Sequence, residues 1–206
     1  MTAGPTGGIP TRRSGWPVLR TPRWMLAGAA VLVAGLTLAG LSHHPSTSQR
    51  ATDLRGVVQE MNTDIESCAG GVSESITALR AIQSGTSHDV KTAVSIATTG
   101  AANCSPANSM PMDDLVQYQP PSSLASFHLD QTVNDLVTWG FPDAQRVQID
   151  VATLLTAGSK PAIQAATAAL QHDQHVLDTE RATIDGMINT ASKSLSANVA
   201  PPSLPN

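Results

Sequence analysis

The stretch Leu54–Leu79, LRGVVQEMNTDIESCAGGVSESITAL, decides the fold. Its apolar residues Leu54, Val58, Met61, Ile65, Cys68, Val72, Ile76 and Leu79 fall at spacings of 4, 3, 4, 3, 4, 4 and 3. That is one continuous face of a long α-helix of bundle or coiled-coil type. Gly70-Gly71 interrupts the run at a cost of about 1 kcal/mol each relative to Ala, so a local bend is expected there. Ser84-Gly85-Thr86-Ser87 then supplies a glycine stop and hydroxyl N-cap candidates for a second helix. The second stripe is Val90, Val94, Ala97, Ala101 and Cys104.

Each stripe carries one of the chain's two cysteines, and residue 86, midway between them, lies in the expected turn. An antiparallel hairpin about that turn brings Cys68 beside Cys104, so periodicity and cysteine placement predict the same disulfide. A bridge closing this loop contributes roughly 4 kcal/mol through loop-closure entropy.

Residues 105–121, SPANSMPMDDLVQYQPP, hold four prolines and read as a connector. Met110-Pro111-Met112 lacks the supporting His of a thioether copper site and reads as loop. A third helix is expected from Ser122 or Ser123 to Gly140, with Leu129, Val133 and Leu136 inward. Pro142 and Asp143 suit the first turn of a fourth, whose stripe is Ala144, Val147, Val151 and Leu154. Ser159-Lys160-Pro161 opens the last helix, with Ile163, Ala166, Leu170, Leu177, Ile184, Ile188, Ala191 and Leu195 on one face. Residues 199–206 read as a disordered tail by composition. The expected fold class is all-α: one N-terminal transmembrane helix, then an antiparallel bundle of four to five helices stapled by one disulfide.

The transmembrane reading rests on residues 24–41, WMLAGAAVLVAGLTLAGL, which contain no charge, Asn, Gln or Pro. At about 1.5 Å per residue the run spans roughly 27 Å, close to the ~30 Å hydrocarbon core of a bilayer. Arg12, Arg13, Arg20 and Arg23 precede it, and the next basic residue is Arg50. The positive-inside rule keeps residues 1–23 in the cytoplasm and places the remainder outside, so membrane lipid is the partner of residues 24–41. A cleaved signal peptide followed by secretion is the alternative. Its apolar core would be shorter, though, and Thr37-Leu38-Ala39 is a poor cleavage site. Residues 42–50 form a polar linker, and residues 51–198 are the extracytoplasmic domain: a 51–104 hairpin, the 105–121 connector and the 122–198 helices.

All 16 acidic residues lie beyond the apolar run with 8 of the 12 Lys and Arg, so that part carries 8 − 16 = −8. Such a balance argues against nucleic acid and against anionic lipid headgroups as ligands. Only Tyr118, Phe127, Trp139 and Phe141 supply aromatics beyond residue 41. Small side chains suit closely packed helices better than a sheet core or an aromatic-lined pocket.

The one cluster with metal-ligand chemistry is His172, Asp173, His175 and Asp178 on the last helix, where His172, His175 and Asp178 follow one another at spacings of three. Carrying the apolar stripe across the gaps Leu170–Leu177 and Leu177–Ile184 puts Asp173 and Glu180 on the buried face. A solvated polar face is the plainer reading, and His43-His44 reads as linker. Ser126, His128 and Asp130 have the residue types of a nucleophilic triad but diverge on a helix. No glycine-rich phosphate loop, HExxH, CxxC or GxSxG occurs, so neither a cofactor nor an enzymatic activity is expected. The segment order is similar in outline to bacterial membrane sensors, although residues 1–23 are too short for an output module. The expected function is contact with another protein at the cell envelope; the alternative is an extracytoplasmic metal- or small-ligand-binding module.

Overall fold

A computed structural model describes residues 45–203. The elements are α1 (Thr47–Gln83), α2 (Val90–Asn103), α3 (Met110–Gln117), a 3₁₀ segment (Ser122–Phe127), α4 (Leu129–Asp135), a π-turn (Leu136–Gly140), α5 (Phe141–Thr156) and α6 (Lys160–Leu195). The described residues contain no strand, and no helix among them is long and apolar enough to cross a membrane. The apolar run 24–41 and His43-His44 lie outside the described residues.

The six helices make four antiparallel columns. α1, 37 residues and about 55 Å long, rises alone. α2, α3 and the 3₁₀ segment descend beside it; α4, the π-turn and α5 rise as one unbroken helical column; α6 descends. α5 packs against α1, α2 and α6, and so occupies the centre. All eight stripe residues of α1 are buried, and the core continues through Leu129, Val133, Leu136, Phe141, Ala144, Val147 and Val151 to Leu177, Ile184, Ile188 and Leu195.

Several boundaries differ from the sequence reading. α1 starts at Thr47, inside the expected 42–50 linker, because the Ser46 hydroxyl accepts from the Gln49 N–H (3.1 Å). Gly85 makes the turn with φ +73°, but the N-cap of α2 is Asp89, whose carboxylate accepts from the Thr92 N–H (2.9 Å). The 105–121 connector contains α3, with Pro111 in its first turn and Met112 and Leu115 buried against α1. Too few residues lie between its flanking prolines for a periodic stripe to show.

The helix expected from Ser122 begins instead at Leu129. His128, in the left-handed region (φ 53°), separates it from the 3₁₀ segment. No break follows at Gly140. A widened π-turn precedes Pro142, which has no N–H to offer the carbonyl four residues back, and the column continues through it. The described end of the chain, residues 197–203, lies along α1 with Ala197 and Pro202 buried. Arg55 donates to the Ala197 carbonyl (2.9 Å) and the Ser203 N–H donates to Asn62 (2.8 Å).

Candidate functional site

The predicted disulfide is present: Cys68 and Cys104 are bonded, with Cα atoms 4.6 Å apart and both residues buried. Close by, α1 and α2 cross at Gly71 and Gly100. A Cβ on Gly71 would stand 2.8 Å from the Gly100 Cα, so neither helix tolerates a side chain there without moving. Gln148 of α5, fully buried, caps this crossing. Its amide donates to the Ala144 carbonyl (3.2 Å) and to the Cys104 sulfur (3.0 Å), and its carbonyl faces the Ser75 hydroxyl (3.5 Å). The amide thus ties the disulfide to the central helix with its polar atoms satisfied.

Acidic residues line the contact between α5 and α6. Asp143 and Asp150 of α5 face Glu180 and Asp173 of α6, respectively. The pairs are seven residues apart on each helix, as one antiparallel heptad register requires. Burial pushes the Glu180 carboxyl up to about 7, and the hydrogen-bonding Asp143 carboxyl and Asp135 of α4 add to the shift while Arg146 opposes it. Burial, then the Asp173 carboxylate, raises Asp150 in the same direction. Arg146 approaches Asp143 Oδ1 at 2.7 Å. This ion pair offsets part of the Asp143 charge. Asp150 Oδ2 and Glu180 Oε2 are buried without a hydrogen-bond partner.

Asp173 and Glu180 therefore lie half-buried on the inner face, where the stripe continuation places them. Their partners escaped the sequence reading. Asp143 reads as a helix-start acid, Asp150 lies off the apolar stripe of α5, and only the α5–α6 register shows that each meets another carboxyl. His172, His175 and Asp178 are exposed, fanning away from Asp173 around one helix. Among the described residues no three His, Cys, Asp or Glu side chains come together as a metal site, these four included. Met110 is 82% exposed and Met112 fully buried, so they share no site. Ser126 accepts from the Arg50 guanidinium (2.7 Å), which ties it to the start of α1 rather than to His128 or Asp130.

Asp64 of α1 is 4% exposed, and its Oδ2 has no partner. Burial, then Glu60 of α1 and Asp114 of α3, raises its carboxyl to about 6. Among the surface grooves that flank α1, one lies beside α6 and one beside the end of the described chain. One, of about 560 Å³, opens where α1 and α6 separate: Thr77 and Arg80 form one wall, Gln174 and Asp178 the other, with Ile76 and Val147 among the apolar residues at its base. The other, of about 910 Å³, runs between Asn62, Glu66 and Gly70 of α1 and the tail residues Asn198 and Ser203. Compared with family models, with curated proteins and with solved structures, the chain matches none.

Proposed function

We propose that this chain is a membrane-tethered extracytoplasmic helical module that acts through protein contacts at the cell envelope and catalyses no reaction of its own. The observation that carries the reading is the buried Cys68–Cys104 disulfide at the centre of the hairpin. Structural disulfides persist in oxidising compartments, and an uncharged 18-residue apolar run behind four arginines supplies the route there. The use of polar side chains supports the non-catalytic part. Arg50, Ser126, Ser123 and Asp53 fasten the 3₁₀ segment to α1, Gln148 fastens α5 to the hairpin, and most Thr hydroxyls donate to carbonyls of their own helices. Contact is assigned to the groove between α1 and α6, whose apolar base and opposed Arg80 and Asp178 suit a partner segment with charges of both signs.

Site-specific photocrosslinking in native membranes tests this, with probes at Thr77 and Gln174 in the groove and at the exposed Thr98 of α2 as control. The expected result is a chain that stays in the membrane pellet after alkaline washing and crosslinks to one membrane or envelope protein from the groove positions only. A chain released by the wash, with no crosslink from either groove position, overturns the proposal.

A further inference from the structure

The stripe of α6 is apolar except at Asp173 and Glu180, and at both places α5 presents another carboxyl. Two ionised carboxylates facing each other in a helix contact repel, and each buried oxygen lacking a donor carries a desolvation cost. One proton per pair changes both terms. It removes one charge and supplies an O–H that the opposite carboxylate accepts, so Asp150 Oδ2 and Glu180 Oε2, buried without hydrogen-bond partners, gain a means of satisfaction. Asp143 is only 3% exposed, so water cannot substitute freely for that donor.

We propose that the α5–α6 contact is a proton-operated clasp: the upper half of α6 seats on α5 when the Asp143/Glu180 and Asp150/Asp173 pairs each hold one proton, and loosens when all four carboxyls are ionised. The groups facing Glu180 are Asp143 and Arg146 of α5 and Asp135 of α4, with Arg181 beside it on α6; Asp173 faces Asp150. Arg146 can neutralise one charge of the lower pair, being bound to Asp143, but among the described residues no cation is salt-bridged to either member of the upper pair. Loosening therefore begins above the lower pair, in residues 160–177. There α6 buries only Ala166, Leu170 and Leu177, and the groove between α1 and α6 opens at the same level. The folded state binds protons at a higher pH than the unfolded chain, whose Glu titrates near 4.5, while folded Glu180 titrates near 7. The lower pair therefore holds its proton at pH 5 and gives it up as the pH rises through 7, while Asp150, shifted in the same direction, keeps the upper pair's proton above the ordinary carboxylate range.

Amide hydrogen exchange on the full chain in detergent, at pH 5.5 and pH 8 and corrected for intrinsic rates, reads the clasp directly. In the wild type, residues 160–177 are expected to lose at least tenfold protection at pH 8 while residues 61–79 of α1 keep theirs. The double variant Asp173→Asn/Glu180→Gln, which keeps a donor in each pair at every pH, is expected to hold the pH 5.5 protection at pH 8. His172 and His175 are retained in all proteins. Equal protection of 160–177 at both pH values in the wild type overturns the proposal even if the variant fails to fold. So does a pH-dependent loss that survives in a folded variant.

Discussion

Gly70 and Gly71 are neighbours in one helix with opposite consequences. A Cβ on Gly70 meets nothing within 4 Å, so Gly70→Ala gains helix propensity alone, about 1 kcal/mol. A Cβ on Gly71 reaches the Gly100 Cα at 2.8 Å and Gln148 Oε1 at 2.9 Å. Backbone cannot rotate away, and the nearby Cys68–Cys104 bond holds the two helices together. Overpacking of this kind costs about 1–3 kcal/mol. Displacing the buried Gln148 leaves polar groups unsatisfied for about 1–3 kcal/mol more. Less the propensity gain of about 1 kcal/mol, Gly71→Ala loses about 1–5 kcal/mol, centred near 3. The two variants should differ by about 4 kcal/mol, or roughly 8–16 °C in Tm at about 2–4 °C per kcal/mol for a domain of this size. Thermal and urea unfolding of the oxidised chain measures the difference. A Gly71→Ala protein as stable as Gly70→Ala would refute the close crossing and the role given to Gln148.

Other expectations concern different parts of the bundle. Gly100→Ala places its Cβ 1.9 Å from Gln148 Oε1, so it should destabilise strongly alone and much less over Gln148→Ala, a coupling that a double-mutant cycle measures. Arg50→Ala removes hydrogen bonds to the Ser123 carbonyl and Ser126 hydroxyl and the stacking on Phe127, for a loss of about 1–3 kcal/mol; exchange protection should fall in the first turns of α1 and in residues 122–127. Asp64 titrates higher folded (about 6) than its ordinary 3.8, so its contribution to stability is full below pH 3.8 and is lost as the pH rises through 6. Asp64→Asn should therefore raise the urea midpoint at pH 8 relative to wild type and leave it nearly unchanged at pH 4. Reducing the disulfide should cost about 4 kcal/mol, read from urea unfolding with and without reductant.

The main features of the hairpin could be read from sequence because its evidence is periodic and local. The α1 stripe and the cysteine pair needed no knowledge of the other helices, and Ala97 and Ala101 of α2 fell where expected. Val90 and Val94 did not. Val90 is 37% exposed and Val94 half-buried, because the contact face of α2 runs through Ala93, Ala97, Gly100 and Ala101, small enough for the Gly71–Gly100 approach. α3 was hidden by its prolines, one of which starts it. The column through Pro142 was hidden because a proline there reads as a beginning rather than as a widened turn. Of the acid pairs, the α6 members showed as gaps in a stripe. The α5 members depend on the register between two helices, a relation no single segment contains. Gln148 was missed for the same reason: a buried amide is recognised only once the glycine crossing it caps is known.

The proposed extracytoplasmic placement requires Cys68 and Cys104 to be bonded in the cell. Trapping thiols in intact cells with a membrane-permeant alkylating agent, followed by non-reducing peptide mapping of the membrane fraction, tests it directly. One cross-linked peptide pair containing Cys68 and Cys104, with no alkylated cysteine, is the expected result. Both cysteines recovered alkylated would contradict it, since the hairpin would then reside on the reducing side of the membrane.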